Sequence, residues 1–304
     1  MDPRARIEEA RAVGRAVTDG GIEHVRSQAL VQVRRSLGMT RQPPPPSTDA
    51  ALAYMAPDSV VRRIHGDLPS MLIGGLSALL FQMLHPLAMA GVAQHSRYRS
   101  DPLGRLERTA SFLGTTTFGT RDEARAAVDR VRRVHTRVTG VARDGTPYSA
   151  GDPELLTWVH AAEVSSFLAA TRVYAPVRPT AEEEDEYLDR MAGVARDLGA
   201  VTVPRSTVEL DEYFAEIRPR LSFTPEARDA RNFVLRGVGR WPHELATYGL
   251  LVSAAQGVLP TWARRQLRLP ALPAGDRLAV RPSARLLGTA FRWVVTPPAT
   301  PEPV

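Results

Sequence analysis

The chain has 304 residues, no cysteine, and a formal net charge of +6 that comes entirely from arginine, because lysine is absent. Missing cysteine excludes disulfides, thiolate ligands, iron–sulfur clusters and zinc fingers, and missing lysine excludes a Walker-type phosphate loop. The 43% apolar content suits one large domain with a substantial core.

Residues 1–38 read as one or two Arg-rich helices, Arg4 to Val17 and Ile22 to Leu37, with Gly20-Gly21 between them. The N-terminus is charged and lacks an apolar core segment, so it is no secretory leader, and a cytoplasmic protein is expected. Gln42 to Ser47 contains four consecutive prolines and forms a stiff, extended spacer. Residues 1–47 are therefore a helical extension with a linker, which can pack on the domain or against a second subunit in a homo-oligomer. A short helix follows from Asp58 to His65. Pro69 to Gln94 reads as one long apolar helix, kinked at His85-Pro86, where the freed carbonyl can be satisfied by His85. Met71 to Val92 is 22 residues without a formal charge, long enough to span a bilayer. Gln82, His85-Pro86 and the Gly74-Gly75 pair argue instead for a buried core helix and no transmembrane span.

His95 closes this helix, in either a capping role or a contact at a site. The next helix opens at Ser100 or Asp101 with Pro102 in its first turn. It places Arg105, Arg108, Thr109 and Phe112 on one face. A second helix opens with the capping box Thr120-x-x-Glu123 and is expected to close at Gly140. There Ala124, Ala127, Val128, Val131, Val134, His135 and Val138 recur at helical spacing, so His135 is expected to face the core. A buried imidazole needs a partner. It is either a core histidine bonded to a carbonyl or a ligand to a metal or heme iron.

After an Asp144-Gly145 turn and a short hairpin, Asp152-Pro153-Glu154 starts a helix with Leu155, Leu156, Val159, His160, Glu163, Val164 and Phe167 on its inner face. His160 and Glu163 are three apart and can share a proton. A second capping box, Thr180-x-x-Glu183, opens a helix reaching Gly199. Shorter helices then run from Val208 to Ile217, Pro225 to Leu235, His243 to Val252, Pro260 to Leu267 and Pro282 to Phe291. The all-helical domain is thus 48–294, and the tail 295–304 is expected to be disordered. Asp and Glu alternate with Arg along most helices, so the positive charge decorates solvated faces and no nucleic-acid partner is expected. Gly75 to Leu79 resembles a nucleophile elbow one glycine short, within a helix. Glu-x-x-His and His-Glu-x-x-His are both missing, which removes di-iron carboxylate and zincin chemistry.

Three blocks carry a resemblance: LLFQMLHPLAMAGVAQHSRYRSDPLGRLERTASFLGTTTFG, then VRRVHTRV, then DGTPYSAGDPELLTWVHAAEVSSFLAA. In this order they resemble the oxygenase family that includes the MpaB protein and the latex-clearing protein (rubber oxygenase), from about Gly66 to Tyr174. The resemblance implies an all-α fold, a large multi-helix bundle around a buried heme-type pocket, with heme b bound through one histidine and O2 as co-substrate. The family's Arg-x-x-(Arg/Lys)-Thr pattern falls on Arg105, Arg108 and Thr109, and its axial histidine falls on His135, with His160 as the rival. Where the latex-clearing branch has a lysine that can cap iron, this chain has Arg108. A guanidinium offers no lone pair, so a smaller lipophilic or aromatic substrate is expected in place of rubber. Arg105, Arg132 or Arg133 can pair the heme propionates, and Arg108 and Thr109 can act on oxygen at the other face. The alternatives are a non-catalytic heme or lipophile carrier and a helical partner-binding protein without cofactor.

Overall fold

The computed structural model describes residues 46–237, 242–270 and 273–295; the expected N-terminal helices and C-terminal tail lie outside them. Helices α1 (Val60–Gly66), α2 (Leu68–Gln82), α3 (Pro86–His95), α4 (Pro102–Phe118) and α5 (Arg121–His135) come first. A two-stranded antiparallel hairpin follows, Thr139–Val141 against Pro147–Ser149, turning at Asp144-Gly145 with Gly145 at φ +88°. Then come α6 (Pro153–Tyr174), α7 (Ala181–Leu198), α8 (Thr207–Ile217), α9 (Pro225–Arg236), α10 (Pro242–Val258) and α11 (Thr261–Gln266). A wide turn at Asp276–Val280 leads into α12 (Arg281–Val295).

The helix starts follow from their caps. Asp101, Thr120, Asp152 and Thr180 each accept a backbone N–H of the first turn, and both expected capping boxes form. The molecule is built on α2 and α6, its most extensively packed pair. Gly74 makes their approach possible, for a Cβ there would lie 2.7 Å from Phe167 Cδ1 and 3.2 Å from the Ser166 carbonyl oxygen. Around this pair Phe81 meets Trp158, Phe214 and Trp262 at centroid distances of 5.3, 5.1 and 5.4 Å, in tilted or edge-on arrangements.

Two expectations change. The long apolar helix is broken, not kinked: α2 ends at Gln82 and α3 begins at Pro86. The released carbonyls find partners across space, Gln82 from the Trp158 indole N–H at 3.2 Å and Leu84 from the Ser222 backbone N–H at 2.8 Å. The His85 ring bonds to neither, although the His85 backbone N–H also reaches the Gln82 carbonyl at 3.3 Å. Helix α5 stops at His135, and Gly140 lies in the hairpin opposite Tyr148. A side chain at Gly140 would collide with the Tyr148 hydroxyl and Gln94, so the glycine serves a close approach and not a helix cap. Among the described residues no single helix is long and apolar enough to cross a membrane; α1 and α2 together pass that test but are bent by 87°.

Candidate functional site

Helix α5 buries only Ala124 and Val128, and it packs on α7. Its last turn rises to the surface: Val134 is 54% exposed and Arg132 and Arg133 are exposed. His135 is half-buried at this end, at the rim of the core and not in its centre. Its Nδ1 is shut off from solvent with no hydrogen-bond partner, and desolvation lowers its pKa.

Helix α6 is buried on nearly every side, yet Val159, His160 and Glu163 keep accessible surface on it. Burial pushes the His160 imidazole down to about 4 and the Glu163 carboxyl up to about 7. His160 Nε2 has no partner, and no hydrogen bond joins His160 to Glu163. The expected shared proton is therefore replaced by two neutral groups one turn apart. His85 is buried at the α2–α3 break, held down to about 4 by desolvation and the nearby Arg220 charge, and its Nδ1 is also unpartnered. His95 is exposed and contacts the Thr139 carbonyl at 3.1 Å, tying α3 to the hairpin.

The face predicted for α4 divides. Arg105 and Phe112 are half-buried, and Arg105 Nη1 donates to Ser96 Oγ at 3.0 Å, with burial lowering its pKa. Arg108 and Thr109 are exposed. Arg108 pairs with the capping Asp101 at 3.2 Å, and Thr109 donates back to the Arg105 carbonyl at 3.2 Å.

Sequence reasoning missed His65. Its ring lies in the core between Thr117 Oγ1 at 2.7 Å and the Tyr187 hydroxyl at 3.0 Å, edge-on to Phe167. The buried phenol has this one acceptor for its hydrogen, which makes Nε2 the acceptor and Nδ1–H the donor to Thr117. Burial holds His65 neutral, at about 3. Burial first, and the Glu163 charge second, keep the Tyr187 phenol well above its usual range. A line of polar groups thus runs from the end of α4 through His65 and Tyr187 to within electrostatic reach of Glu163. The signal was available in Val61, Ile64 and His65, which share one side of a short helix capped by Ser59. Arg62, also missed, donates to the carbonyls of Ser47, Thr117 and Phe118, closing the C-terminal end of α4.

Among the described residues no three His, Cys, Asp or Glu side chains gather as a metal-binding group. The imidazoles stand singly. No curated protein and no solved structure matches the chain significantly. Residues 62–293, from α1 into α12, match the family described as the ER-bound oxygenase mpaB/B'/rubber oxygenase catalytic domain, and the chain belongs to that family of oxidoreductases.

Proposed function

We propose that the chain is a heme b-dependent oxygenase using O2, or a peroxide, on a lipophilic or aromatic small molecule, with His135 as the axial ligand. The observation that carries this reading is the donor set. His85, His135 and His160 each have a sequestered ring nitrogen without a partner, yet they do not converge with carboxylates. A bare ion asks the protein for about three or four ligands. A porphyrin brings its own nitrogens and asks for one imidazole.

The resemblance assigns the family's histidine to His135, and its Nδ1, not its Nε2, is the ring nitrogen sealed from solvent, which leaves Nε2 for ligation. At His160 it is Nε2 that is sealed, which favours a structural role; its deeper desolvation keeps it as the second reading. Arg105, already half-buried, and Arg132, exposed beside His135, are forks for the propionates. The bound heme supplies the oxidising power, and the side chains supply ligation, orientation and charge. Arg108 contributes donors that never lose their proton, and Thr109 contributes a hydroxyl. Among the described residues Arg108 is restrained by an exposed pair with Asp101, worth about 0–1 kcal/mol, so redirecting it costs little.

Oxygen uptake by the heme-loaded protein tests the reading. Consumption should require an added lipophilic alkene or phenol, and Arg108→Ala should retain heme while turning over about a hundredfold more slowly. Heme binding without uptake on any such compound would make the chain a carrier. An unchanged rate in Arg108→Ala would remove that residue from the reaction.

A further inference from the structure

The chain has seven tyrosines, and they differ in what their hydroxyls can do with a proton. Tyr98, Tyr174 and Tyr213 have buried hydroxyls with no hydrogen-bond partner among the described residues. Tyr148 donates to the Gln94 side-chain carbonyl at 2.7 Å, and Tyr248 donates to the Val234 carbonyl at 2.9 Å. Amide oxygens are poor bases. Tyr54 meets a carboxylate, Asp197, in an exposed pair. Among the described residues only Tyr187 donates to an imidazole, His65 Nε2 at 3.0 Å, and both rings are buried. This run of bonds ends inside the protein, where His65 Nδ1 donates to the buried Thr117 Oγ1 at 2.7 Å. Arg62 Nε steadies that end by donating to the Thr117 carbonyl at 3.1 Å. Phe167 packs edge-on against His65, with ring centroids 5.4 Å apart.

We propose that Tyr187 and His65 form a redox-active pair, in which Tyr187 gives one electron to a strong one-electron oxidant and its hydroxyl proton to His65 Nε2. Losing the electron alone would leave a positive charge on a phenol ring that has no water around it, which is costly. Losing the proton alone is no easier, since burial holds the phenol well above its usual range. Moving both together avoids each cost. The oxidised phenol is a far stronger acid than an imidazolium, even that of a histidine held down to about 3 by burial. The products are a neutral tyrosyl radical and an imidazolium that keeps both bonds, donating Nε2–H to the tyrosyl oxygen and Nδ1–H to Thr117. The proton stays beside the ring it left, so one electron from a solution reductant such as ascorbate restores the phenol. Full burial keeps the radical from coupling to a second one. An oxygenase meets oxidants of this class whenever activated oxygen finds no substrate. Tyr187 lies on α7, the helix against which the His135-bearing α5 packs. The pair thus gives a stray oxidising equivalent a reversible resting place.

Illumination of the full-length protein with tris(bipyridine)ruthenium(II) and a cobalt(III) electron acceptor, then freezing and electron paramagnetic resonance, tests this. The oxidant is supplied from outside, so the outcome does not depend on heme or on its axial ligand. Wild type should give a tyrosyl signal. In protein labelled with histidine carrying the heavy nitrogen isotope, that radical should show coupling to a histidine nitrogen. Tyr187→Phe should lose the signal, and Tyr54→Phe should retain it. A bond that only joined α1 to α7 would give a different result. No tyrosyl signal, a signal indifferent to the histidine label, or a signal that survives in folded Tyr187→Phe would each overturn the proposal. The labelling experiment uses the unaltered sequence, so it decides the matter even where Tyr187→Phe fails to fold.

Discussion

Glu163 shows what a single residue can cost in the interior of this fold. Its carboxyl is held at about 7 by burial alone, against 4.5 in the unfolded chain. Between these values the folded state carries a proton that the unfolded state has lost, so stability declines as pH rises from 4.5 to 7 and levels off above. The neutral histidines act in the opposite direction. His65, His85 and His160 are lowered to about 3, 4 and 4, so their contribution is complete above 6.5 and is lost as pH falls towards those values. Glu163→Gln keeps the shape of the protonated acid and removes its titration. In urea unfolding it should match wild type near pH 4.5 and exceed it at pH 8 by roughly 1–3 kcal/mol; equal stability at pH 8 would mean that Glu163 ionises freely. At this scale the sequence was partly legible. His135 and His160 stand out because each interrupts an apolar stripe, and the structure leaves a ring nitrogen of each unpartnered. Whether a side chain meets a partner across space is another matter. Glu163 and His160 have the spacing of a pair but make no bond, whereas His65 and Tyr187 are 122 positions apart and do.

Helices were legible through their ends. Asp101, Thr120, Asp152 and Thr180 announce four of them, because a cap is a local bond between residues two or three apart. The break at Met83–His85 was not, since its cost is offset by Trp158 and Ser222, remote in sequence. Val138 keeps the α5 periodicity, but the hairpin bonds win the segment: Ala150 donates to the Val138 carbonyl at 2.9 Å. The α2–α6 pair gives a sharp test in its two adjacent glycines. Gly74 faces Phe167 and the Ser166 carbonyl, whereas nothing lies within 4 Å of a Cβ at Gly75. Gly74→Ala should force the helices apart and cost about 1–3 kcal/mol. Gly75→Ala should gain up to about 1 kcal/mol through helix propensity. Thermal melts of the two variants decide the matter; equal shifts would mean that the pair is not packed this closely.

For the whole molecule, the features that bear on function lie in different layers. The core is closed by a neutral Thr117–His65–Tyr187 chain, His160 and Glu163 lie half-buried on α6, and His135 sits at the rim beside the exposed Arg132 and Arg133. The all-helical class followed from periodicity and caps. The oxygenase family followed from blocks of residues in the α2–α6 region, and the match over 62–293 extends it to α12. The proposed function rests on one accessible imidazole, unsupported by other ligands, which would suit an iron already held by a macrocycle. Absorption spectra of freshly purified full-length protein, supplied with heme, test this most directly: a Soret band should appear, persist in His85→Ala and His160→Ala, and vanish in His135→Ala. A band that survives His135→Ala, or a colourless wild-type protein, would contradict it.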